Sequence, residues 1–158
     1  MISKTLVPLS LTVAVGLTSV AIADGHLSRD QQGAISARQA QMTLLGFNLG
    51  PLGAMVQDQM PYDAETAATA AANLAAVAAL SQDRYWVEGT DASVGGNRAK
   101  PEIWSDADGF AAEVAKLRDA TAALAAVAGD GLDPMKAAFG AVGQSCGSCH
   151  EAYRAPRN

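Results

Sequence analysis

Alanine constrains this chain more than any other residue. It fills 34 of 158 positions and is among the strongest helix formers, while the larger apolar side chains return every three, four or seven residues. Aromatic residues make up only 5% and β-branched residues are sparse, so a sandwich or barrel would lack the side chains that fill pleated surfaces. With 49% hydrophobic and 17% charged residues, the chain is too apolar to stay disordered. Its length suits one domain. An all-α fold is expected.

The formal charge is -5 and the isoelectric point is near 4.8. No cluster of Lys and Arg exceeds two residues, which leaves no electrostatic footprint for nucleic acid or anionic lipid. At the N-terminus, Lys4 precedes an apolar run from Leu6 to Ile22 that ends in Ala21-Ile22-Ala23, the small-x-small pattern of signal peptidase sites. Residues 1–23 are therefore expected to be a cleaved signal peptide and 24–158 the working domain, exported to the periplasm. A membrane anchor is the other reading of that run. Pro8, Gly16 and four hydroxyl residues interrupt it, however, and no basic stop-transfer segment follows. No other stretch is apolar enough to span a membrane, so the mature protein is expected to be soluble and, without Lys4, more acidic still.

Four helical segments can be read. From Ser28 to about Gln59, the side chains of Ile35, Met42, Leu45, Leu49, Leu52 and Val56 share one face, with Gly50-Pro51 as a kink rather than a stop. Pro61-Tyr62-Asp63 reads as a turn, with Asp63 capping a second helix that runs to Leu80 and carries Glu65 in its first turn. Residues 81–100 hold Gly89, Gly95, Gly96 and Asn97 without periodicity and form a long connection. Pro101-Glu102-Ile103-Trp104 leads into a third helix along Phe110, Val114, Leu117, Thr121, Leu124 and Ala128, which Gly129-Asp130-Gly131 stops. Asp133, as N-cap before Pro134, opens a fourth along Met135, Phe139, Val142, Cys146, Cys149 and Tyr153. Four amphipathic helices with mostly short turns make an antiparallel, up-down four-helix bundle.

The chemistry sits in Cys146-Gly147-Ser148-Cys149-His150. C-x-x-C-H is the attachment signature of c-type haem. At i and i+3 of a helix, both sulfurs face the same way and reach the two vinyl groups of one porphyrin edge, and His150 can aim an imidazole nitrogen at the iron. Gly140, Gly143 and Gly147 could let a flat macrocycle approach the backbone, or could serve ordinary helix packing. Competing uses of the pair fare poorly. Zinc needs about four ligands, and the other histidine, His26, stands near the expected mature N-terminus. A thioredoxin-like dithiol needs a βαβ unit, and a plain disulfide leaves His150 without a role.

The chain resembles cytochrome c′, the class II c-type cytochromes. The likeness rests on Arg38 to Met42 in the first helix, Pro61-Tyr62-Asp63 before the second, Pro101-Glu102-Ile103-Trp104-Ser105-Asp106 before the third, and Ala138-Phe139 through Cys146-Gly147-Ser148-Cys149-His150-Glu151-Ala152-Tyr153-Arg154 at the end. It implies one haem c held by Cys146 and Cys149, His150 as the fifth iron ligand, Arg154 beside the proximal imidazole, Arg38 at a haem propionate and Met42 over the distal face. Spacing also places Arg154 at i+4 from His150, where it could raise the potential of the haem or simply answer the helix dipole. By helical spacing alone, Met42 would be a core residue. If it only covers the iron, the haem is five-coordinate, high-spin and open to NO or CO; if its sulfur binds, the protein is a low-spin His/Met electron carrier of the cytochrome c-556 type. The expected function is electron transfer, gas binding or both. Nothing in the chain suggests an enzyme: no second histidine is placed as an acid/base and no nucleophile has a positioned base. Redox proteins are the expected partners. Small residues on the outer faces of the first two helices, and the habit of many relatives, point to a homodimer. A structural reading, an exported helical adaptor with a disulfide, would show no Soret band.

Overall fold

The computed structural model describes residues 27–157. The expected signal segment, its cleavage point and His26 lie outside them. Five helices follow in order: α1 (Arg29–Val56), α2 (Ala64–Ala78), α3 (Glu102–Ser105), α4 (Ala107–Val127) and α5 (Leu132–Tyr153). Four are long and α3 is a single turn. The long ones pack around a ring, α1 on α2, α2 on α4 and α4 on α5, while α1 closes the ring against α5 most lightly. The all-α four-helix bundle read from the sequence is the fold observed.

Local chemistry sets the boundaries. Ser28 accepts from the Gln31 backbone at 3.2 Å and Gln31 Oε1 accepts from Ser28 N at 2.9 Å, a capping box that satisfies two otherwise orphaned donors. Pro51 lies inside α1, which continues to Val56. Asp63 caps α2, accepting from Thr66 N at 2.8 Å. Two expectations need correction. The third helix is divided, because Asp106 leaves helical geometry at φ -125, ψ 57 and accepts from Gly109 N at 3.2 Å, so α3 ends and α4 is capped at the same residue. The fourth helix starts at Leu132 with Gly131, at φ +141, as its cap. Asp133 therefore lies in the first turn rather than at the cap. Pro134 is tolerated there because the first four helical N–H groups have no intrahelical acceptor.

The connection between α2 and α3 is irregular but anchored. It contains a 3-10 turn at Ala92–Val94. Its last residues pair with the C-terminal tail, Lys100 N donating to Tyr153 O at 3.0 Å and Ala155 N to Arg98 O at 2.8 Å.

The core is unevenly distributed. Leu52 and Met55 of α1, Leu74 of α2, Leu124 of α4 and Met135 and Val142 of α5 are closed to solvent around the small side chains Ala67, Ala70 and Ala71. Each large side chain contributes roughly 1.5–3 kcal/mol by leaving water. A second, smaller cluster joins Ala99, Ile103 and Tyr153 to Trp86, Trp104, Phe110 and Cys149. Met42 belongs to neither and is 40% exposed. Among the described residues, no helix is long and apolar enough to cross a membrane.

Candidate functional site

The last two turns of α5 carry both cysteines, each half-buried. Cys146 packs against the main core and Cys149 against the aromatic cluster, so the pair bridges the two. Burial pushes both thiols above their usual range, Cys149 to about 11, with the nearby Glu113 carboxylate adding to the effect. Glu113, on α4, accepts from Ser148 Oγ at 2.5 Å and is paired with Lys116. A residue inside the motif is thereby tied to the neighbouring helix. His150 is half-buried in a groove of about 390 Å³ that Arg98, Lys100 and Arg154 also line. Its proton affinity is lowered by burial and by the Arg154 and Arg98 charges. Both effects favour the neutral imidazole, the form that can donate a lone pair to iron.

Arg154 reaches that groove by a different route from helical register. α5 ends at Tyr153, and Arg154 is extended, in a bridge with Ala99, while its N–H still donates to His150 O at 3.1 Å.

A slot opens between α1 and α5. Beside Phe139 it is shut, since a Cβ on Gly53 would stand 3.5 Å from the Phe139 ring. Three turns from that contact, back along α1 and forward along the antiparallel α5, stand Met42 and His150, on the same flanks as Gly53 and Phe139. Helical rise thus brings the two to about one level along the bundle. Along this stretch, a Cβ on Gly46 of α1, or on Gly140, Gly143 or Gly147 of α5, would meet nothing within 4 Å. Close helix packing is thus not what these glycines of α5 serve. The space fits a flat group bonded to the two cysteines.

Arg38, one turn before Met42, is buried at 4% exposure. Its guanidinium lies 4.9 Å from the Trp86 ring centroid and donates from Nη1 to Tyr85 O at 3.3 Å and Thr90 Oγ1 at 2.9 Å. From Nη2 it donates to Thr90 O and to Asn97 Oδ1. The structure therefore brings Cys146, Cys149, His150 and Arg154 together at one end of α5, with Arg38 anchoring the connection; Met42 is exposed on α1, one turn after Arg38. Sequence reading missed Glu113, Trp86, Thr90 and Asn97, whose roles depend on contacts distant in sequence.

Residues 33–154 match the family model described as Cytochrome C'. The chain belongs to the cytochrome c′ family. Its cofactor is accordingly haem c. A cytochrome c′ of Cereibacter sphaeroides is 36% identical over 146 residues, spanning 92% of this chain and 98% of that one. Among solved structures, cytochrome c′ from Rhodobacter Spheriodes superposes with a TM-score of 0.78 at 38% identity, covering 80% of this chain and 98% of that one. A nitric oxide complex of a mutant cytochrome c prime from Alcaligenes xylosoxidans superposes with a TM-score of 0.72 at 36% identity, covering 83% and 100%.

Proposed function

We propose that the protein is a periplasmic, five-coordinate cytochrome c′ that carries single electrons and binds NO or CO, acting as a carrier and gas binder rather than an enzyme. The observation that carries this reading is the slot. Cys146 and Cys149 stand on α5 where they would form the two thioethers, His150 would be the protein ligand of the iron, and the glycines of this stretch leave open space beside them. When bound, haem supplies a one-electron couple and an iron site open to a diatomic ligand. The remaining work falls to the protein. Arg38 holds residues 85–97 against α1 as the wall of the slot, and the family likeness adds a propionate contact to its role. Arg154 keeps positive charge beside His150, which disfavours a further positive charge at the iron and raises its potential.

A flexible, uncharged thioether over the iron covers it while letting a small gas push it aside. Met42→Ala should speed CO association to the ferrous protein by about tenfold, roughly the 1.4 kcal/mol of displacing a loosely packed side chain, and leave the resting haem high-spin. A far-red methionine-to-iron charge-transfer band in the parent, lost in Met42→Ala, would instead establish the low-spin His/Met carrier.

The same reading includes a homodimer. Leu44 and Phe47 of α1, 48% and 77% exposed, leave apolar surface uncovered, and Thr69, Ala72 and Ala76 of α2 are exposed small side chains that allow close helix approach. Sedimentation equilibrium tests it.

A further inference from the structure

A concentration of positive charge in an acidic protein marks the groove of His150. Arg98, Lys100 and Arg154 line it, and Arg157 follows on the exposed tail. Apart from Lys4, the sequence has only ten basic residues, so two short segments, 98–100 and 154–157, hold four of them. The Ala99 to Arg154 bridge clamps these segments side by side. Neither ion pair among the described residues, Lys116 with Glu113 or Lys136 with Asp58, includes any of the four. One carboxylate, Glu151, shares the groove.

Folding together four like charges with a single carboxylate beside them costs free energy, so the arrangement calls for a use. Helix capping accounts for Lys100, whose Nζ donates to Glu151 O at 2.9 Å and Ala152 O at 3.0 Å, but not for three arginines. Arg98 donates Nε to Ala155 O at 2.8 Å. These two cations spend N–H groups on backbone carbonyls. What remains is charge held in place and turned outward, not a closed ring of donors converging on a small ion. A surface of that kind suits a protein face bearing several carboxylates, which gains on-rate and orientation from fixed opposite charge.

We propose that the Arg98, Lys100, Arg154 and Arg157 rim is the docking surface for an acidic protein that exchanges electrons with the haem beside His150. This inference rests on the electron-transfer reading above. It carries a consequence opposite to that of net charge, because a protein of net negative charge would ordinarily repel an anionic reagent, whereas a local basic rim attracts it.

The test uses the haem-loaded ferrous protein in stopped flow, with ferricyanide as the anionic oxidant and tris(phenanthroline)cobalt(III) as the cationic one. Raising the ionic strength from about 10 to about 300 mM should slow ferricyanide roughly fivefold and not slow the cobalt complex. Arg157→Gln, on an exposed side chain, should reduce the ferricyanide salt effect with the visible spectrum unchanged, and Arg98→Gln/Arg157→Gln should reduce the salt effect further. A decaglutamate peptide should compete with ferricyanide more strongly than inorganic phosphate of equal total charge. Ferricyanide that accelerates with salt, variants with an unaltered salt effect, or phosphate competing as well as the peptide would each overturn the docking surface. Failure to exchange electrons with either oxidant would instead overturn the electron-transfer reading itself.

Discussion

The two ends of the bundle are built on opposite plans. Away from the motif, Leu52, Met55, Leu74, Leu124, Met135 and Val142 meet around alanines and exclude water completely. At the motif end, aliphatic packing gives way to Trp86, Trp104, Phe110 and Tyr153, an arginine buried by hydrogen bonds, and a methionine left 40% exposed beside an open slot. The first end stabilises the bundle by burial alone. The second combines a small aromatic cluster with hydrogen-bonded polar groups, so the described residues hold two unequal cores.

That contrast breaks most visibly if the cofactor is prevented from attaching. In Cys146→Ser/Cys149→Ser the covalent haem is lost, and the two ends should separate in amide exchange. Protection should persist at Leu52, Leu74, Leu124 and Met135, and fall by at least tenfold along residues 35–45, 85–100 and 146–153, where partner surface is missing. Uniform loss, or uniform retention, would show that the ends are not separate in stability.

The packed end answers to a smaller change. Leu124 is closed to solvent, and Leu124→Ala removes its packing and leaves a cavity, a cost of about 3 kcal/mol. Because the cost arises far from the slot, it should be the same in the haem-loaded protein and in the double serine variant, as read from urea denaturation of each. A cost that changes on haem loading would mean the two ends are coupled.

How much of this was legible beforehand follows the same division. Periodicity found the four long helices, and Asp63 and the glycines after Ala128 behaved as their chemistry dictates, since caps and turns are local. Errors came where one residue had two eligible roles. Asp133 is a good N-cap by type, but Gly131 at positive φ starts α5 earlier, and Asp106 interrupts what reads as a continuous third helix. The five-residue motif was visible because its spacing is itself the chemistry. The environment around it was not, because Arg38 meets Trp86, Thr90 and Asn97 across about fifty residues of chain. Met42 shows the same limit: helical spacing tells which face a side chain takes, not what lies against it.

The smallest expected effect lies in the aromatic cluster, where the motif end comes nearest to packing like its opposite. Tyr153 donates from its hydroxyl to Asp106 Oδ2 at 2.7 Å, in contact with α4, and its ring meets Phe110 edge-on with centroids 5.2 Å apart. Gly109 makes room, since a Cβ there would stand 2.6 Å from the Tyr153 hydroxyl. The bond to Asp106, then burial, then the negative charges of Asp106 and Glu113 hold the proton on the phenol, pushing its pKa up to about 12 from 10. The unfolded chain gives up that proton near pH 10, while the folded one keeps it for about two units more. Below pH 10 both states are protonated and the bond contributes in full. Between 10 and 12 the unfolded state binds fewer protons, so the contribution declines as pH rises and is gone above the folded value. Tyr153→Phe should therefore be less stable than the parent at pH 8, with the gap in urea midpoint narrowing from pH 10 to pH 11.5. A gap that stays constant over that interval would show that ring packing, and not the bond to Asp106, is what Tyr153 contributes.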